Sequence, residues 1–207
     1  MQVNPHRICG STCIAQDGKA AVTTSIRERM VTAAAELLAE RGLQATSFGE
    51  VIKATGASRG SIYHHFPGGK TELVRDALES LAERAFEPME AYAGQGALEI
   101  TRQYVQLWRT FIEGFRLRGG CAILTVTVTA DCDEILDSAA LVFRRWRGRL
   151  ADLLRQGGLD ERHVPGSAAM IMAACEGALV FARAERSMEP FDQVAEQLAM
   201  HVAALTG

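Results

Sequence analysis

Residues 58–70, Ser-Arg-Gly-Ser-Ile-Tyr-His-His-Phe-Pro-Gly-Gly-Lys, crowd a guanidinium, a phenol, two imidazoles and an ammonium into one short stretch. Three chemistries compete for it. Gly56-Ala57-Ser58-Arg59-Gly60 fits the G-x-S-x-G pattern of a hydrolase nucleophile, which needs a strained turn from a strand into a helix above a parallel sheet. Pro67-Gly68-Gly69-Lys70-Thr71 resembles the end of a phosphate-binding loop, but His64 stands where the opening glycine is required. The third chemistry is contact with a nucleic acid duplex. The His64-His65 pair is a poor metal site, because adjacent helical positions face different ways.

The flanking elements decide among these. Ile26, Met30, Ala34, Leu37 and Leu38 recur at helical intervals after Ser25, and Gly42 supplies a stop. A short apolar-faced helix follows, with Phe48, Val51 and Ile52 inward. Thr46 or Ser47 is its N-cap, Glu50 stands at the capping-box offset from Ser47, and Gly56 ends it. Ser58 caps a third short helix that closes at Phe66-Pro67-Gly68-Gly69, and a fourth runs from Thr71 to Tyr92. Helices, not strands, therefore precede both enzyme-like motifs. Two short helices on a tight turn at Gly56-Ala57-Ser58, backed by a longer one, make a helix-turn-helix whose second helix enters the major groove.

That geometry requires a two-faced third helix. Ile62 and Phe66 point inward at i and i+4, leaving Ser58, Arg59, Ser61, Tyr63, His64 and His65 outside or at the edges. Gly60 allows close backbone approach to DNA. Arg59 can fork onto guanine or phosphate, Tyr63 and His65 suit phosphate oxygens, and Lys70 is a point charge beyond the helix. Thr46 and Ser47, at the start of the second helix, complete the expected DNA-facing set.

The rest of the chain reads as helical: Ala97 to Arg116, Asp133 to Gln156, Ser167 to Arg186 and Phe191 to Leu205. Residues 121–130, Cys-Ala-Ile-Leu-Thr-Val-Thr-Val-Thr-Ala, alternate like a strand. A lone strand has no partner here, so a short helix or irregular segment is expected. Residues 1–23 lack periodicity and are expected to extend outside the fold, followed by a DNA-binding unit over 24–70 and a connecting helix and body over 71–207.

Net charge is −3, with ten Lys/Arg against nine Asp/Glu in residues 1–85 and twelve against sixteen thereafter, a mild asymmetry that leaves the DNA reading open. Five cysteines without a C-x-x-C pair, and no apolar core of signal length in residues 1–20, point to reduced thiols in a cytoplasm. His6, Cys9 and Cys13 lack a further ligand, so neither a metal nor a cofactor is expected. No apolar run reaches the ~18–20 residues of a membrane span.

The stretch from Ile26 to Leu81 resembles the TetR/AcrR family of bacterial repressors. The likeness lies in the Ala-Ala-x-Glu-Leu-Leu-Ala-Glu-Arg-Gly of the first helix, the unit from Thr46 to Phe66, and Lys70. The Phe66-Pro67-Gly68-Gly69-Lys70 spacing is one residue longer than the usual motif and is similar to the LmrA-like branch, as is Gly119 to Leu124. The resemblance implies an all-α fold of about nine helices: a three-helix DNA-binding head, a linking fourth helix and a ligand-binding body. It also implies a homodimer built on the last two helices, a double-stranded DNA operator and a small-molecule effector.

Those implications meet suitable residues. Ala174, Ala178 and Phe181 lie on a small-residue helix that allows close approach, and Phe191, Val194, Leu198 and Val202 form a narrow seam on the last. Both sets are expected at the dimer interface, although a plain core would read much the same. Tyr104, Trp108 and Phe111 could face Phe143 and Trp146 across a cavity, with Met172 and Cys175 as soft walls. Taken singly, each also reads as core filling. Arg144, Arg145, Arg147 and Arg149 are read as a solvated face with local acidic partners. The competing class, a small all-helical enzyme or carrier using this cavity, finds no acid, base and nucleophile gathered on one face of residues 86–207.

Overall fold

The computed structural model describes residues 24–114, 116–117 and 119–206. The expected extension over 1–23, with His6, Cys9 and Cys13, lies outside the described residues. The described residues form nine α-helices and no strand. They run α1 Ile26–Ala45, α2 Phe48–Thr55, α3 Arg59–His65, α4 Gly69–Phe86, α5 Ala97–Gly114, α6 Ala122–Thr129, α7 Asp133–Gln156, α8 Val164–Glu185 and α9 Glu189–Thr206. The fourth helix is shorter than its pattern suggests, because Pro88 turns the chain into a 3-10 helix over Glu87–Tyr92.

Local chemistry sets the helix ends. Ser25 begins α1 with a full capping box: its Oγ accepts from the Glu28 N–H at 3.2 Å, and its own N–H donates to Glu28 Oε2 at 2.7 Å. Gly42 breaks the helix with φ +76, after which one more turn follows. Ser47 Oγ accepts from the Glu50 N–H at 3.3 Å, but the Glu50 carboxylate turns away to Arg41 at 3.2 Å, so only half of that expected box forms. Gly56, left-handed at φ +70, closes α2 by donating to the Ile52 carbonyl at 2.9 Å.

Residues 122–129 are helical despite their alternation. Thr127 and Thr129 turn their hydroxyls onto the carbonyls of Ile123 and Thr125 at 2.8 and 2.7 Å, which accommodates threonines in a helix.

Helix α4 packs on α1 in the head and on α7 in the body, while α5, α7, α8 and α9 form the remaining bundle. A second junction was not expected: α6 packs directly on α1. The Gly120 N–H donates to the Ala39 carbonyl at 3.3 Å, and a Cβ on Gly42 would lie 3.2 Å from Thr125 Cγ2. The linking helix is therefore not the sole connection between the two parts.

Helix α8 is long and apolar enough to cross a membrane, contrary to the reading of its run length from sequence, but half of its apolar window is buried within the protein. It packs between α7 and α9 as a core helix.

Gly157 ends α7 where α5 begins, and its carbonyl accepts from the Ala97 N–H at 2.9 Å. A Cβ there would stand 2.6 Å from the Ala97 nitrogen and 2.9 Å from the Gln95 oxygen, both backbone atoms that cannot step aside. Gly148, inside α7, has nothing within 4 Å of that position. Gly157→Ala is expected to destabilise by about 1–3 kcal/mol through overpacking. Gly148→Ala should stabilise by about 0.5–1 kcal/mol by relieving backbone entropy. Thermal unfolding of the two variants should therefore move Tm in opposite directions.

Candidate functional site

The third helix is built as a two-faced element. Ser58 caps it by accepting from the Ser61 N–H at 3.1 Å, leaving Arg59 and Gly60 in the first turn. Ile62 and Phe66 are both 0% exposed and anchor it from behind. Arg59, Tyr63 and His64 are exposed, while Ser61 and His65 are half-buried. Tyr63 is 57% exposed, yet its ring stands edge-on to Phe48 of α2 at 5.2 Å, so the phenol is held at a fixed angle. A Cβ on Gly60 would find only Ser58 Oγ, at 4.0 Å, so that side of the helix is open. Ser47 is exposed at the start of α2.

Two members of the expected DNA-facing set sit differently. Thr46 is 0% exposed, and its hydroxyl donates to the Gly42 carbonyl at 2.9 Å. It serves the break in α1 and presents nothing to the outside. Lys70 is half-buried, and its Nζ donates to the Leu43 carbonyl at 2.7 Å. With one residue more than the usual spacing, the ammonium is spent on the open last turn of α1. Its charge still lies beside the third helix, but tethered.

Cross-ties hold the head in shape. Arg29 Nη2 donates to the Thr55 carbonyl at 2.7 Å, closing the end of α2. Arg27 of α1 sits over the Phe66 ring at 5.2 Å and pairs with Asp76 of α4. Arg145 of α7 grips Glu79 and Glu83 of α4 at 2.8 and 2.5 Å, and Arg149 pairs with Glu90 at 2.8 Å. Part of the basic run on α7 thus clamps the linking helix and the turn after it.

In the body, ring contacts sort the expected ligand residues into two groups. Trp108 meets Phe111 edge-on at 6.0 Å, whereas Phe143 and Trp146 pair at 6.5 Å and continue to Phe86 of α4. Tyr104, Trp108, Met172 and Cys175 are buried, and Phe111, Phe143 and Trp146 are partly buried. An open groove of about 400 Å³ lies between α6 and the C-terminal half of α8, and none of those seven residues lines it.

Most of the seam expected at a dimer interface turns inward. Phe191, Leu198 and Val202 are 1%, 4% and 0% exposed, and Ala178 is buried as well, because α9 lays this stripe against α5 and α8. They are filled by their own chain and cannot also meet a partner in this packing. Val194 and Ala174 are partly buried. Phe181 alone of that set is open, and Met170, Val180 and Met200 are open too.

One polar residue escaped the sequence reading. Glu176 on α8 is only 9% exposed, and neither carboxylate oxygen has a hydrogen-bond partner. Burial raises its pKa to about 7, and the neighbouring Cys121 thiol pulls it back only in part. Burial, then the Glu176 charge, pushes the Cys175 thiol up to about 12; burial likewise raises the Cys121 thiol and the Tyr104 phenol above their ordinary values, each also sensing Glu176. The available signal was a single acid inside the apolar run from Ala168 to Ala182.

These features define a helix-turn-helix regulator with a helical body. A family profile for bacterial regulatory proteins of the tetR family matches residues 31–77, and one for the LmrA/YxaF-like C-terminal domain of transcriptional regulators matches residues 97–197. An HTH-type transcriptional regulator of Mycobacterium tuberculosis is 34% identical over 179 residues, covering 83% of this chain and 91% of that protein. The HTH-type transcriptional regulator LmrA of Bacillus subtilis is 21% identical, covering 79% and 89%. Among solved structures, a TetR transcriptional regulator from Chloroflexus aurantiacus superposes with a TM-score of 0.71 at 26% identity, covering 86% of this chain and 94% of that one. One from Legionella pneumophila gives 0.76 at 18% identity, covering 87% and 99%. The chain belongs to the TetR family of bacterial transcriptional regulators, with an LmrA/YxaF-like C-terminal domain.

The buried Glu176 carboxylate carries a pH signature. Its folded pKa stands above its unfolded value, so the penalty is absent below the unfolded pKa, builds as pH rises toward about 7 and levels off above it. Glu176→Gln should therefore leave Tm nearly unchanged at pH 4.5. It should stabilise the fold relative to wild type progressively up to about pH 7 and by a constant amount above it, on the order of a few kcal/mol, with Tm rising accordingly. A pH-independent difference would show that the carboxylate is solvated.

Proposed function

We propose that this protein is a ligand-responsive repressor that acts as a homodimer on a palindromic operator. The observation that carries the reading is the third helix, which directs Arg59, Tyr63 and His64 outward while Ile62 and Phe66 hold it to the head. Ser47, Ser58, Gly60, Ser61 and His65 border that face, and Lys70 adds a fixed charge beside it. Residues 24–70 are the DNA-binding unit on this reading, and 71–207 the connecting helix and body.

Dimerisation falls to the face of α8 and α9 that its own chain leaves open. Met170, Val180 and Phe181, with the small Ala173 and Gly177 between them, and Met200 on α9 suit a four-helix contact between two copies. A two-fold axis would set the heads on half-sites ~34 Å apart or a multiple of it. The effector is a small, mostly apolar molecule bound in the body. It releases DNA by favouring a head spacing that no longer matches the groove. Two junctions can transmit that shift: α4, clamped by Arg145, and α6, seated on α1. Such a regulator works in the cytoplasm.

The test uses the duplex upstream of its own gene in a gel-shift titration. Arg59→Ala is expected to weaken binding about tenfold or more, and Tyr63→Phe several-fold, without altering the sedimentation mass. Wild-type affinity should fall steeply as salt rises, because phosphate contacts release counterions. Unchanged affinity in Arg59→Ala, or binding indifferent to salt, would contradict the reading.

A further inference from the structure

Helix α8 buries a face of Ser167, Ala168, Ile171, Met172, Cys175, Ala178, Leu179 and Ala182, and Glu176 stands within it. Every other side chain in that face is apolar or small. An unpaired carboxylate so placed costs several kcal/mol as an ion and still wastes hydrogen-bonding capacity when protonated. A leucine would fill the space at no such cost. No three His, Cys, Asp or Glu side chains converge on a metal-binding arrangement among the described residues, so a metal ion does not explain it.

The surroundings specify what would. Glu176 touches the electrostatic field of Tyr104 on α5, Cys121 at the start of α6, and Cys175 on its own helix. All three neighbours are held in their neutral forms by burial; the Cys121 thiol, a weak donor, comes near enough to lower the Glu176 pKa in part, but no donor reaches either carboxylate oxygen at hydrogen-bond distance. Cys121 also lines the groove of about 400 Å³, whose walls include Leu124, Thr125 and Leu179, with Arg183 one turn further along α8. The groove and the carboxylate therefore share one side chain as their common boundary. Beside the ionised Glu176 an anion would be repelled, so Arg183 is left to face the open end of the groove, and a neutral hydrocarbon would leave the carboxylate as it is. A protonated nitrogen would supply both the missing charge and the missing donors.

We infer that Glu176 is the recognition point for an effector with an apolar body and a protonated amine, seated where α5, the start of α6 and α8 meet. The inference rests on the effector-responsive reading above and names the chemistry of that effector. It also gives the ligand a route to the head. Cys121 is the N-cap of α6; the residue before it, Gly120, bonds to α1 through the Ala39 carbonyl, and Thr125 one turn later abuts Gly42. An amine that displaces Cys121 from beside Glu176 moves the segment resting on α1.

The experiment is calorimetric titration of the full chain with three matched amine and alcohol pairs: octylamine and octanol, phenethylamine and phenethyl alcohol, naphthylmethylamine and naphthylmethanol. At least one amine should bind about tenfold or more tighter than its alcohol, and Glu176→Gln should reduce that preference to about twofold or less. The variant's affinity for its upstream duplex without ligand should match wild type. Absence of amine binding in all pairs, equal binding of amine and alcohol, or a preference that survives Glu176→Gln overturns the inference. A wild-type chain that binds its upstream duplex but shows no amine preference defeats this inference alone; one that does not bind the duplex defeats the regulator reading.

Discussion

The geometry of the head depends on the burial of Ile62 and Phe66. The third helix has seven residues, too short to persist on its own propensity, so tertiary anchoring must hold it. Burying a phenylalanine or isoleucine fully contributes about 1.5–3 kcal/mol each. Arg27 reinforces the anchor by lying over the Phe66 ring while pairing with Asp76, so one guanidinium joins α1, the end of α3 and α4. The outward direction of Arg59 and Tyr63 follows from this anchor, since a helix fixed at i and i+4 has no rotational freedom left.

The same economy shapes the joint between head and body. The break at Gly42 leaves carbonyls at the end of α1 without helical donors. Thr46 and Lys70 supply them, from the chain's next residues and from beyond the third helix. The break also makes room for Thr125 of α6, because a side chain at Gly42 would crowd its methyl at 3.2 Å. A single glycine thus breaks a helix and receives the body, while a lysine from beyond the third helix ties off the next carbonyl, that of Leu43. Under the proposed mechanism, a small displacement of α6 would be felt at the anchoring end of the third helix. The Arg145 clamp on Glu79 and Glu83 ties the other connection, α4, to the same body.

Much of this was legible in the sequence because short-range chemistry dictates it. Ser47, Ser58 and Gly56 act locally as caps, and the spacing of Ile62 and Phe66 fixes the inner face of α3 without reference to anything distant. The residues that were misplaced are those whose surroundings come from far along the chain. Thr46 looks like any exposed cap residue until Gly42 claims its hydroxyl. Phe191, Leu198 and Val202 form an apolar stripe that suits either a partner or a core, and only the placement of α5 and α8 decides for the core. The alternation in residues 122–129 reads as strand by period, yet the lack of a partner strand already pointed to a short helix or irregular segment, and the described residues form a helix there and no strand. Glu176 was passed over because its meaning lies in what three separate helices fail to offer it.

The central claim, that the outer face of α3 meets the duplex, is tested most directly by hydrogen exchange of the full chain with and without its upstream DNA. Peptides covering residues 47–65 should gain protection on adding the duplex, with the largest change around Ser58 to Tyr63. Protection confined to α5–α9, or none anywhere under conditions where the duplex is bound, would contradict the account.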